Sequence, residues 1–246
     1  MSVQLAAILC FCSFVQGAAG FGFGIFAVPF MVWAGLSLGH AVIITALVSF
    51  AQGAVSVFSL RGDVPWRRAL YATALRMLTL PLGVWLLVQA DNLNPDVVKQ
   101  LLGGVLLIIL ALQLFVRPEP RDELHPVWGV LTFTLSGLLK GMVAMGGPPV
   151  VLWVMAQTWT NKASRGFLLA FFLLSHPPHL LLLYLAYRQE IWEPALQGLL
   201  YVPLVMLAAW LGVKAGNVLP KVRLRQVAYG LLFVVAVSSV FSQVLP

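Results

Sequence analysis

Apolar residues in this chain come in runs rather than in alternation. Long apolar stretches cover approximately 3–36, 40–60, 67–90, 97–116, 126–159, 164–187, 194–216 and 223–245. A helix crossing the hydrocarbon core needs about 20 such residues. Six of the stretches have that length and predict single transmembrane helices. The other two, 3–36 and 126–159, are 34 residues each, too long for one span and short for two. Both are interrupted by glycine. The first carries Gly17-Ala18-Ala19-Gly20-Phe21-Gly22-Phe23-Gly24; the second carries Gly137, Gly141, Gly146 and Gly147, followed by Pro148-Pro149. Backbone that leaves the helix inside a bilayer survives only where protein or a polar cavity satisfies it. Both stretches therefore read as re-entrant or tightly folded helical hairpins, with arms of about 12–16 residues, or roughly 18–24 Å.

Composition agrees with this class. The 246 residues are 61% hydrophobic and 9% charged, with a mean hydropathy of +0.95; a soluble domain carries roughly 25% charged residues. No ten-residue alternating strands of the barrel type occur, so the expected fold is all-α and integral to the membrane. The net charge of +7 is no sign of nucleic-acid binding. The basic residues fall in short loops between spans, where they set orientation. Cys10 and Cys12 read as small core residues. The first basic residue is Arg61, so no positively charged region precedes the first apolar run and a cleaved signal peptide is not expected.

The two halves repeat. Trp66 and Ala69-Leu70 match Trp192 and Ala195-Leu196; Met77-Leu78 with Leu82-Gly83-Val84 match Met206-Leu207 with Leu211-Gly212-Val213; Gln100 and Gly104 match Gln226 and Gly230. The offsets are 126, 129 and 126 by subtraction of those positions. The loop at 61–68 carries Arg61, Arg67 and Arg68, whereas its counterpart at 188–193 carries Arg188 with Glu190 and Glu193. The loop at 91–99 carries Lys99 with two aspartates, whereas 214–225 carries Lys214, Lys221, Arg223 and Arg225. Charge bias reverses between equivalent loops, which implies halves of opposite orientation. If each long stretch returns to its own side, Arg61, Arg67, Arg68, Arg117, Arg121, Lys162, Arg165, Lys214, Lys221, Arg223 and Arg225 lie inside. Only Lys99 and Arg188 lie outside. The expected organisation is a first repeat over 1–116, a cytoplasmic connector at 117–125 and a second repeat over 126–246. Each repeat is a hairpin plus three transmembrane helices, and both termini are outside.

An inverted repeat brings its two interrupted segments together near the midplane. Helix N-termini carry unpaired N–H groups and partial positive charge, so restarts after Gly24 and after Gly147 predict an anion cradle of backbone, contributed by Gly20, Gly22, Gly24, Gly146 and Gly147. Pro148 and Pro149 suit the first helical positions. The plainer reading is that these glycines only allow close helix packing. Arg76 and Lys140 lie inside apolar stretches in which no carboxylate occurs. Buried unpaired charge is costly and functional by default; the alternatives are that Arg76 snorkels and that Lys140 caps a helix end. Ser49 and Ser175 are equivalent at offset 126 and could bond an oxyanion or their own backbone. Gln52 is a mid-membrane polar residue of the same span as Ser49. His176 and His179 could serve a proton relay or be structural beside Pro177-Pro178. No third ligand accompanies them, so no metal site is expected.

These motifs resemble the TauE/SafE family of bacterial membrane transporters over nearly the whole chain. The resemblance rests on the duplicated glycine-rich stretches Gly17 to Pro29 and Gly137 to Pro149, each followed by a serine-bearing span. It rests further on Gly62-Asp63-Val64-Pro65-Trp66 and Leu82-Gly83. The usual family motif is closer to Gly-x-Gly-Gly-Gly, so this chain looks like a divergent branch. The resemblance implies a secondary transporter or facilitator of small oxyanions, sulfite or sulfonates, in the bacterial plasma membrane. A carboxylate or other anion channel is the alternative within the class. Outside it stand an intramembrane enzyme using His176 and His179, for which no nucleophile or metal set is found, and a non-transporting partner subunit. No phosphate-binding Gly-x-x-x-x-Gly-Lys-Ser/Thr loop occurs, so an ATPase is not expected. The expected partners are a small anion and the lipid bilayer, with no cofactor and no nucleic acid. Small-residue faces leave a homodimer open.

Overall fold

The computed structural model describes residues 2–19, 22–58, 64–116, 118–218, 230 and 232–239. Among them the chain forms ten α-helices: α1 (Ser2–Ala19), α2 (Phe23–Trp33), α3 (Leu38–Phe58), α4 (Trp66–Met77), α5 (Leu80–Asp91), α6 (Pro95–Phe115), α7 (Pro126–Val143), α8 (Gly147–Met155), α9 (Asn161–Tyr187) and α10 (Trp192–Val218). Residues 232–239 are helical as well. The described fold is all-helical. The expectations on Gly20, Arg61, Gly62-Asp63, Arg117, Lys221, Arg223, Arg225 and Gln226, and most of the 223–245 stretch, lie outside the described residues.

Local chemistry starts several of these helices. Asn94 accepts a hydrogen bond from the Asp96 amide at 2.9 Å, with Pro95 at the first helical position of α6. Thr160 accepts one from Ala163 at 3.2 Å to open α9. Such caps satisfy N–H groups that have no partner within the helix. The stretch 67–90, expected as one span, is two helices bent by 44°. The cause is Pro81, at the start of α5, which can neither donate to residue 77 nor tolerate its carbonyl.

Both long interrupted stretches break where glycine predicts. The first breaks between α1 and α2, with Gly22 at φ 102°. The second breaks between α7 and α8, with Ala144 at φ 56°. The arms are unequal: 18 and 11 residues in the first, 18 and 9 in the second. The two breaks touch, since a Cβ on Gly24 would lie 2.5 Å from the Ala144 carbonyl oxygen.

Two glycine seams hold the bundle. On α1 and α10, a Cβ at Gly17 would collide with the Ala209 carbonyl, and one at Gly212 with the Phe14 carbonyl. On α7 and α5, a Cβ at Gly141 would strike the Leu80 carbonyl, and one at Gly83 the Leu138 carbonyl. Close backbone approach of this kind substitutes for the hydrophobic drive that helices lack in lipid. The seams correspond residue for residue. Gly17 to Gly141 and Phe14 to Leu138 are both 124 positions, while Gly83 to Gly212 and Leu80 to Ala209 are both 129.

Contacts sort the helix ends into two groups. At one end the Arg68 guanidinium lies 5.0 Å over the Trp159 ring, and Thr158 donates to Asp122 at 2.8 Å. At the other, Asp91 accepts from the Gly39 amide at 3.0 Å and from the Tyr187 hydroxyl at 3.2 Å. Between them, large apolar side chains face outward, including Leu78 (70% exposed), Leu196 (63%) and Leu200 (74%). In water such a surface would aggregate; in a bilayer it is the solvent-facing surface. Among the described residues α6, α7 and the stretch Lys162–Ala215, which holds α9 and α10, are long and apolar enough to cross a membrane, and the bent pair α4–α5 makes a fourth.

Candidate functional site

The polar centre of the molecule forms at the α7–α8 break, and Arg76 organises it. This side chain is fully buried, with no exposure. Nη1 donates to Ser175 Oγ on α9 at 2.7 Å. Nη2 donates to Ser136 Oγ on α7 and to the Gly146 carbonyl, the latter at 3.0 Å. The guanidinium carbon stands 3.8 Å over the Phe171 ring and 5.5 Å from Phe172. Ser136 Oγ donates in turn to the Gly146 carbonyl, and Ser175 donates to the Phe171 and Phe172 carbonyls at 2.9 Å. Each serine thus accepts from the guanidinium and donates to backbone. Arg76 is not a snorkelling residue: it ties α4, α7, α9 and the break between α7 and α8 into one network.

Gly146 is built into that network. A Cβ there would collide with the Ser136 carbonyl and lie 3.2 Å from Arg76 Nη2 and 2.8 Å from Lys140 Cβ. Lys140, one turn past Ser136, is 6% exposed. Among the described residues the single salt bridge is Lys99–Asp96, far from the centre. Both buried cations sit in the last turn of a helix, Arg76 in α4 and Lys140 in α7. The negative ends of those helices stabilise a partly buried cation by up to ~2 kcal/mol. Removing a charge from water costs several kcal/mol. The helix ends therefore offset only part of the cost, and the centre keeps a demand for negative charge.

The expected site residues distribute unevenly. Arg76, Ser175, Gly146 and Lys140 come together. His176 lies beside them, its Nδ1 2.5 Å from the Phe172 carbonyl and its ring 6.0 Å from that of Phe50. Gly147 opens α8, but a Cβ there would meet only Phe172 at 3.6 Å, an ordinary contact. Of the first N–H positions of α8, Pro148 and Pro149 have none to offer, so this helix start is a poorer anion cradle than its glycines suggest. Gly22 caps α2 and Gly24 meets the opposite break. Gln52 donates to Ser13 on α1 at 3.0 Å. Ser49 is half-buried on α3 and receives none of the Arg76 hydrogen bonds.

Sequence reasoning missed Ser136. Its signal was present: a serine four residues before Lys140, on the same face of an apolar helix. His179 gains weight as well, being fully buried with neither ring nitrogen partnered among the described residues.

The chain matches the family described as "Sulfite exporter TauE/SafE" over residues 5–239. It is 28% identical over 243 residues to a protein of Cupriavidus necator described as "Probable sulfite/organosulfonate exporter TauE", covering 95% of this chain and 91% of that protein. No solved structure matches.

Proposed function

The chain belongs to the TauE/SafE sulfite exporter family, whose members are membrane transporters and not enzymes, and from that premise we propose that it moves small oxyanions, sulfite or sulfonates, across the bacterial plasma membrane. The observation that carries the reading is Lys140. Its side chain is buried beside Arg76, in apolar helices that hold no carboxylate. The relative in C. necator, by its description, handles sulfite and organosulfonates, which are anions of the size and charge such a centre would hold.

Roles divide by what each group has left to give. Lys140 contacts the anion, with His176 and the Gly146–Gly147 backbone beside it. We read Arg76 as chiefly a positioning residue, its terminal nitrogens making three hydrogen bonds to protein while its Nε is left without a partner among the described residues. It contributes its charge at a distance and fixes the Gly146 loop through Ser136. Ser175 stands behind Arg76. We further read 1–116 and 126–246 as halves of opposite orientation joined by a cytoplasmic connector, with rocking of one bundle against the other giving alternating access. The matched seams and the two groups of helix ends support this reading. Arg68 and Trp159 share one end, and Asp91 and Tyr187 share the other.

Thermal stabilisation of the detergent-purified chain by methanesulfonate, sulfite and acetate tests the proposal. A rise in midpoint with the sulfur oxyanions is expected, together with concentrative or exchange uptake of the same anion in vesicles. Absence of stabilisation by every anion defeats it. Cysteine labelling that reaches the 61–68 and 188–193 loops from the same side defeats the inverted arrangement.

A further inference from the structure

The two histidines of α9 have chemistry that anion binding by Lys140 alone does not use. The Phe172 carbonyl can only accept, so the 2.5 Å contact makes His176 Nδ1 the donor. In the neutral ring the hydrogen therefore sits on Nδ1, and Nε2 presents a lone pair. A lone pair repels an oxyanion oxygen; only a protonated Nε2 can bind one. His179, one turn on, is fully buried with both nitrogens unpartnered among the described residues. Burying two unpartnered polar atoms is unfavourable, which leaves this ring in want of a partner.

The surroundings identify that partner as negative. Helix α9 packs against α3, α4, α5 and α8, and Lys140 acts on both imidazoles from α7. From α4 comes Arg76, which also acts on both rings. The face of α3 at this level offers Phe50, Ser49 and Gln52, none of which titrates. No residue of α8 titrates. Helix α5 contributes Asp91 only at its far end, bonded to Tyr187, eight residues beyond His179, or about 12 Å along the helix. Among the described residues no carboxylate faces the pair.

We propose that the histidine pair takes up one proton when an anion seats beside Lys140, so that anion and proton cross the membrane together. This rests on the anion reading above. An anion placed among these groups favours the charged imidazolium, and by reciprocity the proton tightens the anion. His176 Nε2 or a His179 nitrogen receives the proton from the solution to which the site is open. The same nitrogen then donates to the oxyanion. Release of the anion on the far side removes the charge that held the proton, and the proton leaves with it.

Calorimetric titration of the full chain in detergent decides the matter. Methanesulfonate is the probe because it stays ionised throughout the assay range, so any proton taken up goes to the protein. Titration near pH 7 in two buffers of different ionisation enthalpy should show uptake of close to one proton per anion. The dissociation constant should fall by up to about tenfold for each pH unit of acidification until the pair is charged. H176Q/H179Q should bind more weakly than the wild type, with equal heat in both buffers and no pH slope. If the double variant does not fold, the wild-type two-buffer comparison decides by itself. Binding without proton uptake, at pH-independent affinity, overturns the inference and leaves the anion reading standing. No binding of methanesulfonate, sulfite or acetate by the wild type overturns both.

Discussion

The two helix breaks are built on one backbone plan and carry different chemistry. At offset 124, Gly22 stands where Gly146 stands, and Gln16 stands where Lys140 stands. At offset 129, Val205 stands where Arg76 stands. The seams that flank the breaks match contact for contact. Yet the first break is neutral: Gln16 Oε1 is buried without a partner among the described residues, Gln52 bonds Ser13, and Val205 is fully buried. The second holds two cations, two histidines and two serines. Under the repeat reading, duplication supplied the frame twice and the polar site was elaborated on one copy. The charge sits at the C-terminal ends of α4 and α7, beside a helix start whose second and third positions are prolines.

This contrast can be broken or sharpened by substitution. The largest effect belongs to Arg76→Ala. It leaves the Ser136 and Ser175 oxygens without the donor they accept from and takes one of two donors from the Gly146 carbonyl, and each buried polar group left short costs about 1–3 kcal/mol. Loss of monodisperse protein or a fall of many degrees in melting temperature is expected. Arg76→Lys should rescue only part, because an ammonium cannot span both serines and the carbonyl. An unchanged melting temperature for Arg76→Ala would remove its organising role.

Next come the seams. Gly83→Ala and Gly212→Ala place equivalent Cβ atoms against the Leu138 and Phe14 carbonyls, and overpacking costs typically about 1–3 kcal/mol. Both should destabilise by similar amounts in detergent. A penalty in one seam only would argue against their equivalence.

Lys140→Gln installs at the second break the residue found at the first. The fold should survive, and anion stabilisation and uptake should fall at least about tenfold, or 1.4 kcal/mol. Gln16→Ala should leave uptake close to wild type. Equal transport by the wild type and Lys140→Gln would take Lys140 out of the site.

The smallest effect is expected for Ser13→Ala, which removes the acceptor of the Gln52 amide. A single hydrogen bond contributes about 0.5–1.5 kcal/mol. A modest drop in melting temperature with intact uptake would mark the first break as structural. A transport defect without a stability defect would return function to it.

Much of the fold was legible in the sequence because a bilayer leaves few options. Apolar runs near span length, glycine clusters inside two longer runs and two cations without counter-charges read directly from residue order. The bend at 78–79 was readable in Pro81 and was passed over because hydropathy alone treats 67–90 as continuous. The site was less legible. Arg76 looked free because none of its partners is near it in sequence: Ser136, Gly146 and Ser175 lie 60, 70 and 99 positions away. Gln52 read as a mid-membrane polar residue, and its bond to Ser13, 39 positions away, was equally invisible in residue order.

By itself the sequence determined that this is an all-helical membrane protein, that two of its apolar stretches must break, and that two cations stand in apolar stretches without a carboxylate. Those follow from local rules, since hydropathy, backbone hydrogen bonding and the cost of a buried charge need no knowledge of neighbours. Only the tertiary structure decided what each cation meets. A guanidinium finds three acceptors only when several helices bring them together, and Gly137, where a Cβ would collide with the Arg76 carbonyl, lets α7 approach α4. Arg76 ties the second break together while its Nε stays without a partner among the described residues, and Lys140 lies one turn from Ser136.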